Sequence, residues 1–320
     1  MTPEESIQYN QLIAAGLQDL TLLPGSDAYE DREASYWAAN VPLRPNCIVQ
    51  PRTTEDVSRV IKVLAKMKGP VALRSGGHTQ WTGSNDVHNG VTIDLGQMTD
   101  VTYNNQTKLA SLQPGPKWGD VYEELLKYDV CVTGGRDGNV GIGGFLTGGG
   151  NSYYASSHGW ACDNVANFEV VLANGDVVNA NANSHSDLWK VLKGGSGNFG
   201  IVTRFDMYTF PANDLWGGIR IAARSEGDKL AQTMVDFTND NKNHPEDAYI
   251  INYTFNPGFS SETLAAHVIV DTNGVVNAPA FEGIQKIPVV LEDVKKRTMT
   301  NMANSYLLPS NQQWVSDRIH

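Results

Sequence analysis

The feature that most restricts the fold of this chain is a glycine-rich segment at residues 134–150, with the sequence GGRDGNVGIGGFLTGGG. It places nine glycines in seventeen positions. This density is too high for one hairpin and too regular for a flexible linker. A glycine has no Cβ, so its backbone can lie very close to a ligand or to another chain segment. We therefore interpret the segment as bare backbone packed against a large flat ligand.

A second glycine turn lies upstream, within residues 70–83, PVALRSGGHTQWTG. Residues 71–73 predict a short buried strand, and residues 75–77 follow it with almost no side-chain bulk. Successive backbone N–H groups in such a turn can point at one anion. Arg74 adds positive charge in a chain whose formal net charge is −11. His78 ends the loop, where an imidazole can act as a base, a metal ligand or a covalent attachment point. The pattern predicts a phosphate-binding loop.

A third segment, residues 187–203, contains GSGNFG, which fits the GxGxxG dinucleotide pattern. That fingerprint requires a strand before it and a helix after it. Here a helical pattern at residues 188–192 precedes the glycines, and a β-branched strand beginning at Ile201 follows them. We therefore exclude a nicotinamide-binding Rossmann domain. The chain also has no GxxxxGK[ST] sequence, which excludes a P-loop nucleotidase.

With these three segments in this order, the chain resembles the FAD-linked oxidases of the vanillyl-alcohol oxidase superfamily, in particular their berberine-bridge-enzyme-like branch, which has many fungal members. The resemblance is close from about Cys47 to Phe210 and looser elsewhere. It implies an α+β fold, in which a PCMH-type FAD-binding domain of two α/β subdomains is followed by part of an antiparallel-sheet substrate domain. We expect a leader helix and extension at residues 1–40, the FAD-binding domain at 41–213 and the partial substrate domain at 214–320.

The resemblance also implies the cofactor and its site. The sequence RSGGH matches the family's pyrophosphate loop, whose histidine bonds the 8α-methyl group of the isoalloxazine; here that residue is His78. Relatives with two covalent links carry Cys-Pro-x-Val-Gly, but this chain has Asp137 where the cysteine would fall, and Cys131 is displaced. We therefore expect FAD held by one 8α-N-histidyl bond. The predicted cofactor-binding residues are Arg74, Ser75, Gly76, Gly77, His78, Thr79, Ser84, Gly143, Gly144, Gly148, Gly149, Asn151, Gly200, Ile201 and Val202.

The activity that the resemblance implies is oxidation of a hydroxylated small molecule or secondary metabolite. Hydride passes to flavin N5, and molecular oxygen then takes both electrons to give H₂O₂. Relatives that oxidise carbohydrates often have a tyrosine two residues after the histidine; Gln80 and then Trp81 here argue against a sugar. Family members continue well past residue 320, and their catalytic base usually lies in that portion. Candidates for acid–base chemistry here are Tyr153 and His158. The alternative is a truncated flavin-binding remnant without a complete substrate site.

Composition restricts the remaining function classes. A pI near 5.0 and the absence of a basic stripe argue against nucleic acid as a partner. No apolar run reaches membrane-spanning length, and the acidic, polar start shows no secretory signal. We therefore expect an intracellular protein or a trimmed secreted one, with a small-molecule substrate and O₂ as partners. The cysteines Cys47, Cys131 and Cys162 are expected to be buried thiols. No histidine and acid set shows ligand spacing, so no metal is expected.

Local patterns predict the secondary structure that surrounds these segments. They include an N-cap at Thr53 with acids in the first helical turn, and an Asn174-Gly175 hairpin turn. The predicted helices lie at about 3–20, 51–67, 118–128 and 228–239. The predicted strands lie at 71–73, 91–95, 168–172, 177–178, 201–208, 219–222, 248–255 and 264–270, of which 91–95 is expected to be half-buried.

Overall fold

The computed structural model describes residues 7–255 and 258–312. The helices are α1 Ile7–Ala14, α2 Asp27–Ala34, α3 Thr54–Leu64, α4 Trp118–Leu126, α5 Ile142–Thr147, α6 Ala155–His158, α7 Ser186–Leu192, α8 Gly227–Asp240, α9 Glu282–Gln285 and α10 Met299–Ser305. The strands are β1 Thr21–Leu22, β2 Cys47–Val49, β3 Val71–Arg74, β4 Val91–Asp94, β5 Val101–Asn104, β6 Leu109–Leu112, β7 Val130–Cys131, β8 Val165–Val171, β9 Val177–Asn181, β10 Ile201–Tyr208, β11 Phe210–Pro211, β12 Leu215–Ala223, β13 Asp247–Thr254, β14 Leu264–Asp271 and β15 Leu291–Arg297.

The first sheet has the order β1-β2-β4-β3, with β4 parallel to both β2 and β3. Helix α3 packs on it through Val57, Val60 and Leu64, and it begins at the predicted N-cap, where Thr53 accepts a hydrogen bond from the Asp56 N–H. This confirms the predicted helix start. The hydrophobic core that this helix and the sheet share is distinct from the core of the second sheet.

Strand β4 differs from its prediction, because all four of its residues are buried rather than every second one. It lies between two parallel neighbours, and parallel strands are usually covered on both faces. Its polar side chains have partners. Thr92 donates to the Asp86 carboxylate over 2.7 Å, and Asp94 accepts from Arg32 of α2 and from Gln50. The amino-terminal helix α2 is therefore tied to the centre of this sheet.

The second sheet is antiparallel and has the order β5-β6-β10-β8-β9. The predicted hairpin is confirmed: β8 pairs with β9, and Gly175 in the turn has φ +83°. Helix α4 buries Val121 and Leu125 against this sheet, as its spacing predicted. Strand β10 is buried on both faces over most of its length, since it is central in the sheet.

The third sheet is antiparallel, has the order β13-β14-β12-β15, and carries α8 and α9. The three strands and the helix predicted after residue 214 are all present. Strand β15 was not predicted, because its sequence LEDVKKR is mostly charged and lacks a continuous apolar alternation. The two amino-terminal sheets and this antiparallel sheet confirm the predicted α+β fold class.

The amino-terminal helix is shorter than predicted. Of the predicted range 3–20, residues 3–6 lie outside the described residues, and the described part forms α1 followed by a short 3-10 helix at Gln18–Leu20. Gly16, with φ +73°, ends the helix early.

All three cysteines are buried and free, which confirms the prediction that they are buried thiols. Among the described helices, none has the length and apolar character needed to cross a bilayer.

Two buried aspartates face each other where β13 and β14 pair. Asp247 and Asp271 are direct register partners, and each is 1% exposed. Asp271 accepts the N–H groups of Asn273 and Val275, whereas Asp247 Oδ1 has no partner among the described residues. Burial, and then the Asp271 carboxylate, raise the pKa of Asp247 from 3.8 to about 8. A raised pKa in the folded state means that unfolding releases a proton between these values. This group therefore lowers stability as the pH rises from about 4 to about 8.

We expect Asp247→Asn to make the free energy of unfolding less dependent on pH. The two proteins should be equally stable near pH 4, and the variant should be more stable above pH 8 by several kcal/mol, since each unit of the raised pKa corresponds to about 1.4 kcal/mol for ionising the buried carboxyl. Urea denaturation at both pH values measures this difference. Asp236→Asn, at an exposed position of α8, is the matched control and should follow the wild-type pH dependence. An Asp247→Asn variant that tracks the wild type at every pH would contradict the assignment.

Candidate functional site

A cavity of about 910 Å³ lies between the first two sheets, and eight of its lining residues are glycines. Its volume is in the range of sites that bind small molecules and cofactors. The loop after β3 forms one wall, the beginning of α5 forms a second, and the segment before β10 forms a third. The residues of these three walls are Ser75, Gly76, Gly77, His78, Thr79, Val140, Gly141, Gly143, Gly144, Ser196, Gly197, Asn198 and Gly200.

The two glycine segments touch each other directly at the floor of this cavity. A Cβ placed on Gly76 would lie 2.5 Å from the Cα of Gly141, and a Cβ on Gly141 would lie 2.5 Å from the Cα of Gly76. Ser75 joins the same segments, because its hydroxyl donates to the Pro114 carbonyl over 2.6 Å and accepts the Gly143 N–H over 3.2 Å. The backbone contact leaves no room for a side chain at either glycine.

Part of the glycine-rich segment, which the sequence predicts to be bare backbone packed against a large flat ligand, forms helix α5. Gly143 and Gly144 lie in this helix and still line the cavity. Among the residues that the structure describes, no atom lies within 4 Å of the position that a Cβ on Gly144 would take, so this glycine faces open space. The segment therefore combines a tightly packed glycine, Gly141, with a glycine that leaves the cavity open.

His78 lies at the end of the β3 loop and lines the cavity. Its Nε2 is buried and has no hydrogen-bond partner among the described residues. The Trp37 indole stacks on the imidazole, with 4.3 Å between ring centroids and 15° between planes. Burial lowers the pKa of His78, and the Asp137 carboxylate opposes that shift. The neutral imidazole is thus favoured, with a nitrogen free to act as a nucleophile or a base.

Arg74 supports the loop from below. Its side chain is 1% exposed, donates to the Arg32 carbonyl and the Ser35 hydroxyl over 2.7 Å each, and packs over the Tyr36 ring at 3.6 Å. A Cβ on Gly77 would lie 3.0 Å from its guanidinium nitrogens. Arg74 therefore contributes positive charge beneath the loop, but it does not line the cavity as the sequence analysis expected.

The structure brings most of the predicted cofactor-binding residues to the cavity, but not all. Those that line it are Ser75, Gly76, Gly77, His78, Thr79, Ser84, Gly143, Gly144, Gly200 and Val202. Outside it lie Arg74, Gly148, Gly149, Asn151 and Ile201. Gly148 follows the end of α5 and donates to the Gly144 carbonyl, Gly149 accepts the Cys162 N–H, Asn151 is exposed, and the Ile201 side chain packs in the core of the first sheet.

Neither acid–base candidate lines the cavity. Tyr153 is 5% exposed, and burial raises its pKa to about 12, so its hydroxyl stays protonated at neutral pH. His158 ends α6, where its Nδ1 lies 2.8 Å from the Ser157 hydroxyl and its ring contacts Phe210. Both therefore occupy places where packing accounts for their contacts.

Several cavity residues were not predicted from the sequence. Trp37, Pro114 and Phe205 come from distant parts of the chain, and no local pattern marks them. Ser196–Asn198 form a 3-10 helix on the cavity wall and lie within a segment that the sequence analysis did single out. Helix α7 before them and β10 after them confirm that this GxGxxG sequence lacks the dinucleotide-binding context.

One group of described residues could hold a metal ion: His244, Glu246 and Asp247, in the turn between α8 and β13. Their potential ligand atoms lie within 4.8 Å of one another. This corrects the expectation that no histidine and acid set has ligand spacing, since a tight turn brings neighbouring side chains together. The group lies in the third sheet, away from the glycine-lined cavity.

Comparison with known proteins agrees with this geometry. A family model described as "FAD binding domain" matches residues 45–181. The chain is 38% identical over 284 residues to the FAD-dependent monooxygenase sdcF of Emericella nidulans, covering 88% of this chain and 59% of that protein. It is 37% identical over 282 residues to the FAD-dependent monooxygenase drtC of Aspergillus calidoustus, covering 87% and 54%. The chain thus spans little more than half the length of these relatives.

Solved structures share the fold. 6-Hydroxy-D-nicotine oxidase from Arthrobacter nicotinovorans superimposes with a TM-score of 0.80 at 20% identity, covering 90% of this chain and 64% of that one. A carbohydrate oxidase from Microdochium nivale gives 0.78 at 25% identity, covering 96% and 65%. Berberine bridge enzyme from Eschscholzia californica gives 0.75 at 19% identity, covering 92% and 62%. Residues 45–181 therefore match an FAD binding domain, and the chain shares the fold of 6-hydroxy-D-nicotine oxidase, the carbohydrate oxidase and berberine bridge enzyme.

Proposed function

We propose that this protein is an FAD-dependent oxidase, which takes hydride from a hydroxylated small molecule or secondary metabolite and passes the electrons to O₂. The observation that carries this proposal is the cavity with its glycines and, on its wall, the buried Nε2 of His78, which has no hydrogen-bond partner among the described residues. The relatives named as FAD-dependent monooxygenases and oxidases support the reaction class. When bound, FAD supplies the two-electron acceptor for such chemistry.

The residues present fit FAD. The Ser75–Gly77 turn would hold the pyrophosphate through its backbone N–H groups, with the buried Arg74 charge beneath it. The open space beside Gly144 would accept the flat part of the cofactor, because no side chain occupies it. The wall before β10, including Gly200, would complete the enclosure. We propose as cofactor-binding residues the ten predicted residues that line the cavity.

We further propose that His78 makes the one covalent bond to FAD. An N–C bond from the imidazole to the 8α-carbon would replace an N–H and a C–H bond, and the two protons and two electrons would go to O₂ to give H₂O₂. The lowered pKa of His78 keeps the imidazole neutral for this reaction. Neither Asp137 nor Cys131 is placed to form a second covalent bond. Asp137 accepts the Asn139 and Leu308 N–H groups, and Cys131 is buried in β7, where its thiol donates to the Val132 carbonyl.

One part of the cavity wall carries a polar and an aromatic side chain. Gln80 and Trp81 follow His78 on the cavity wall, and Trp81 is 53% exposed. An exposed aromatic ring beside an amide suits a ligand with a flat ring and hydroxyl groups, since the ring supplies contact area and the amide supplies hydrogen bonds. This is the basis for a hydroxylated small molecule as the proposed substrate class.

The test is anaerobic reduction of the purified, flavin-loaded protein by a panel of phenols, benzylic and allylic alcohols, sugars and amines. Bleaching of the absorbance near 450 nm, a general property of reduced flavin, by a hydroxylated compound, followed by recovery and H₂O₂ formation on admitting air, is the expected result. Bleaching by dithionite but by no member of the panel would oppose the proposed activity. That outcome would favour the alternative function, a flavin-binding chain without a complete substrate site.

A further inference from the structure

Trp37 is the aromatic residue in closest contact with the proposed attachment histidine. Its indole covers one face of the His78 imidazole, with 4.3 Å between ring centroids and 15° between the ring planes. It is only 9% exposed, although it lines the cavity. Nothing in the sequence links the two residues, which are brought together by the fold.

The backbone around Trp37 is fixed from two sides. Its N–H donates to the Gly77 carbonyl over 3.1 Å, so it is bonded to the residue that precedes His78. Its carbonyl accepts the Asn311 N–H over 2.6 Å, and Ala38 pairs with Gln312 in a parallel bridge. The indole is thus presented to His78 by a backbone that is held both by the cavity loop and by residues close to position 312.

A histidine side chain needs such support if it is to react in one orientation. The χ2 torsion of histidine is broad, because it joins an sp³ to an sp² carbon. Nε2 of His78 has no hydrogen-bond partner among the described residues that would fix the ring. A flat indole against one face restricts the rotation about χ2 without occupying either ring nitrogen. This leaves the nitrogen lone pair free and its direction fixed.

We propose that Trp37 is a positioning residue for covalent attachment of FAD: by stacking on His78, it holds the imidazole plane in the orientation in which a ring nitrogen meets the 8α-carbon. The inference rests on the proposed His78 linkage. It assigns Trp37 no contact with substrate and no role in proton transfer. Its effect is on the rate of bond formation, since misplacement of a reacting group by about 1 Å can cost on the order of 100-fold in rate.

The experiment uses apoprotein from a riboflavin-depleted host, mixed with FAD in air. Covalent incorporation is followed as flavin fluorescence of the denatured protein band, and reversible FAD binding is measured separately by fluorescence quenching at early times. Trp37→Leu keeps an apolar side chain but removes the flat ring, and Trp37→Phe keeps a flat ring. We avoid relying on Trp37→Ala, because a buried tryptophan replaced by alanine can prevent folding.

We expect Trp37→Leu to slow covalent incorporation by about 10- to 100-fold, because the His78 imidazole loses the flat ring that orients it. Trp37→Phe should stay within about threefold of the wild type, because it keeps a flat ring against the imidazole. Early FAD affinity should change little in either variant. Trp160→Leu is the matched control, since Trp160 is 54% exposed and is not among the residues that line the cavity; its incorporation rate should equal that of the wild type.

Other outcomes overturn the inference, and they separate it from the proposed function. If the wild type forms the bond and Trp37→Leu forms it equally fast, Trp37 does not position His78, while the linkage stands. If Trp37→Phe is as slow as Trp37→Leu, or if FAD affinity falls in step with the rate, the flat ring is not the cause. If the wild-type protein binds FAD but never forms the bond, the proposed linkage fails and this inference fails with it.

Discussion

In a His78→Ala variant, we expect all of the flavin colour to leave the acid-precipitated protein and appear in the supernatant. The wild-type pellet should stay yellow. The expectation follows from the position of His78 on the cavity wall, where its buried Nε2 has no partner in the described part of the chain, and from the contacts that hold Asp137 and Cys131. The measurement is the absorbance of pellet and supernatant after precipitation, with in-gel fluorescence as a second readout.

His88→Ala is the matched control, because His88 is an exposed histidine whose Nδ1 contacts the Leu43 carbonyl. It should retain the wild-type amount of bound flavin in the pellet. Retention of colour by the His78→Ala pellet would show that another residue carries the bond. A wild-type pellet without colour would show that the flavin is held without a covalent bond.

Replacing Gly76 with alanine is expected to destabilise the apoprotein by about 3 kcal/mol, at the upper end of the usual cost of forcing extra volume into a packed site. The added Cβ would lie 2.5 Å from the Cα and 2.7 Å from the N of Gly141. Both contacts are with backbone, which cannot rotate away as a side chain can. Because the displaced backbone forms the floor of the cavity, flavin content should fall as well. Urea denaturation and the flavin-to-protein ratio measure the two effects.

Two other glycines provide controls. Gly144→Ala meets no atom within 4 Å and lies in α5, so it should leave the apoprotein as stable or stabilise it by up to about 1 kcal/mol. Its methyl group would enter the cavity, so FAD should bind less tightly. Gly283→Ala in α9 also meets no described atom within 4 Å and lies outside the cavity, so the apoprotein should again be as stable or more stable by up to about 1 kcal/mol, and FAD binding should be unchanged. Wild-type stability and flavin content in Gly76→Ala would contradict the packing argument.

Much of the fold could be predicted from local sequence. Thr53 begins a helix because its hydroxyl accepts an N–H of the first turn, and Asn174-Gly175 turns a hairpin because glycine tolerates φ +83° at the second position. Such signals act within a few residues and need no tertiary partner. Strand β15 was not predicted, because its formation depends on a tertiary partner. Its charged sequence becomes a strand because β12 offers a paired edge.

The candidate site likewise contains some residues whose position local sequence predicted and others whose position depends on tertiary contacts. Ser75 to Thr79 were predicted to form the binding loop and do line the cavity, since a glycine turn after a buried strand has few alternative conformations. Arg74 was assigned to the cavity by its place in the motif, but its guanidinium is held beneath Gly77 by Arg32 and Ser35. Motif membership fixes the backbone path of a residue, whereas the direction of a long side chain depends on the partners around it.

The sequence by itself determined where the backbone carries no side chain, because each glycine is visible in it. Only the tertiary structure decided what each glycine faces. Gly76 and Gly141 are 65 positions apart and fill each other's space, while Gly144 borders an open cavity. The stacking of Trp37 on His78 is likewise a product of the fold. Contacts between distant segments depend on how the sheets pack, and no local pattern of residues records that arrangement.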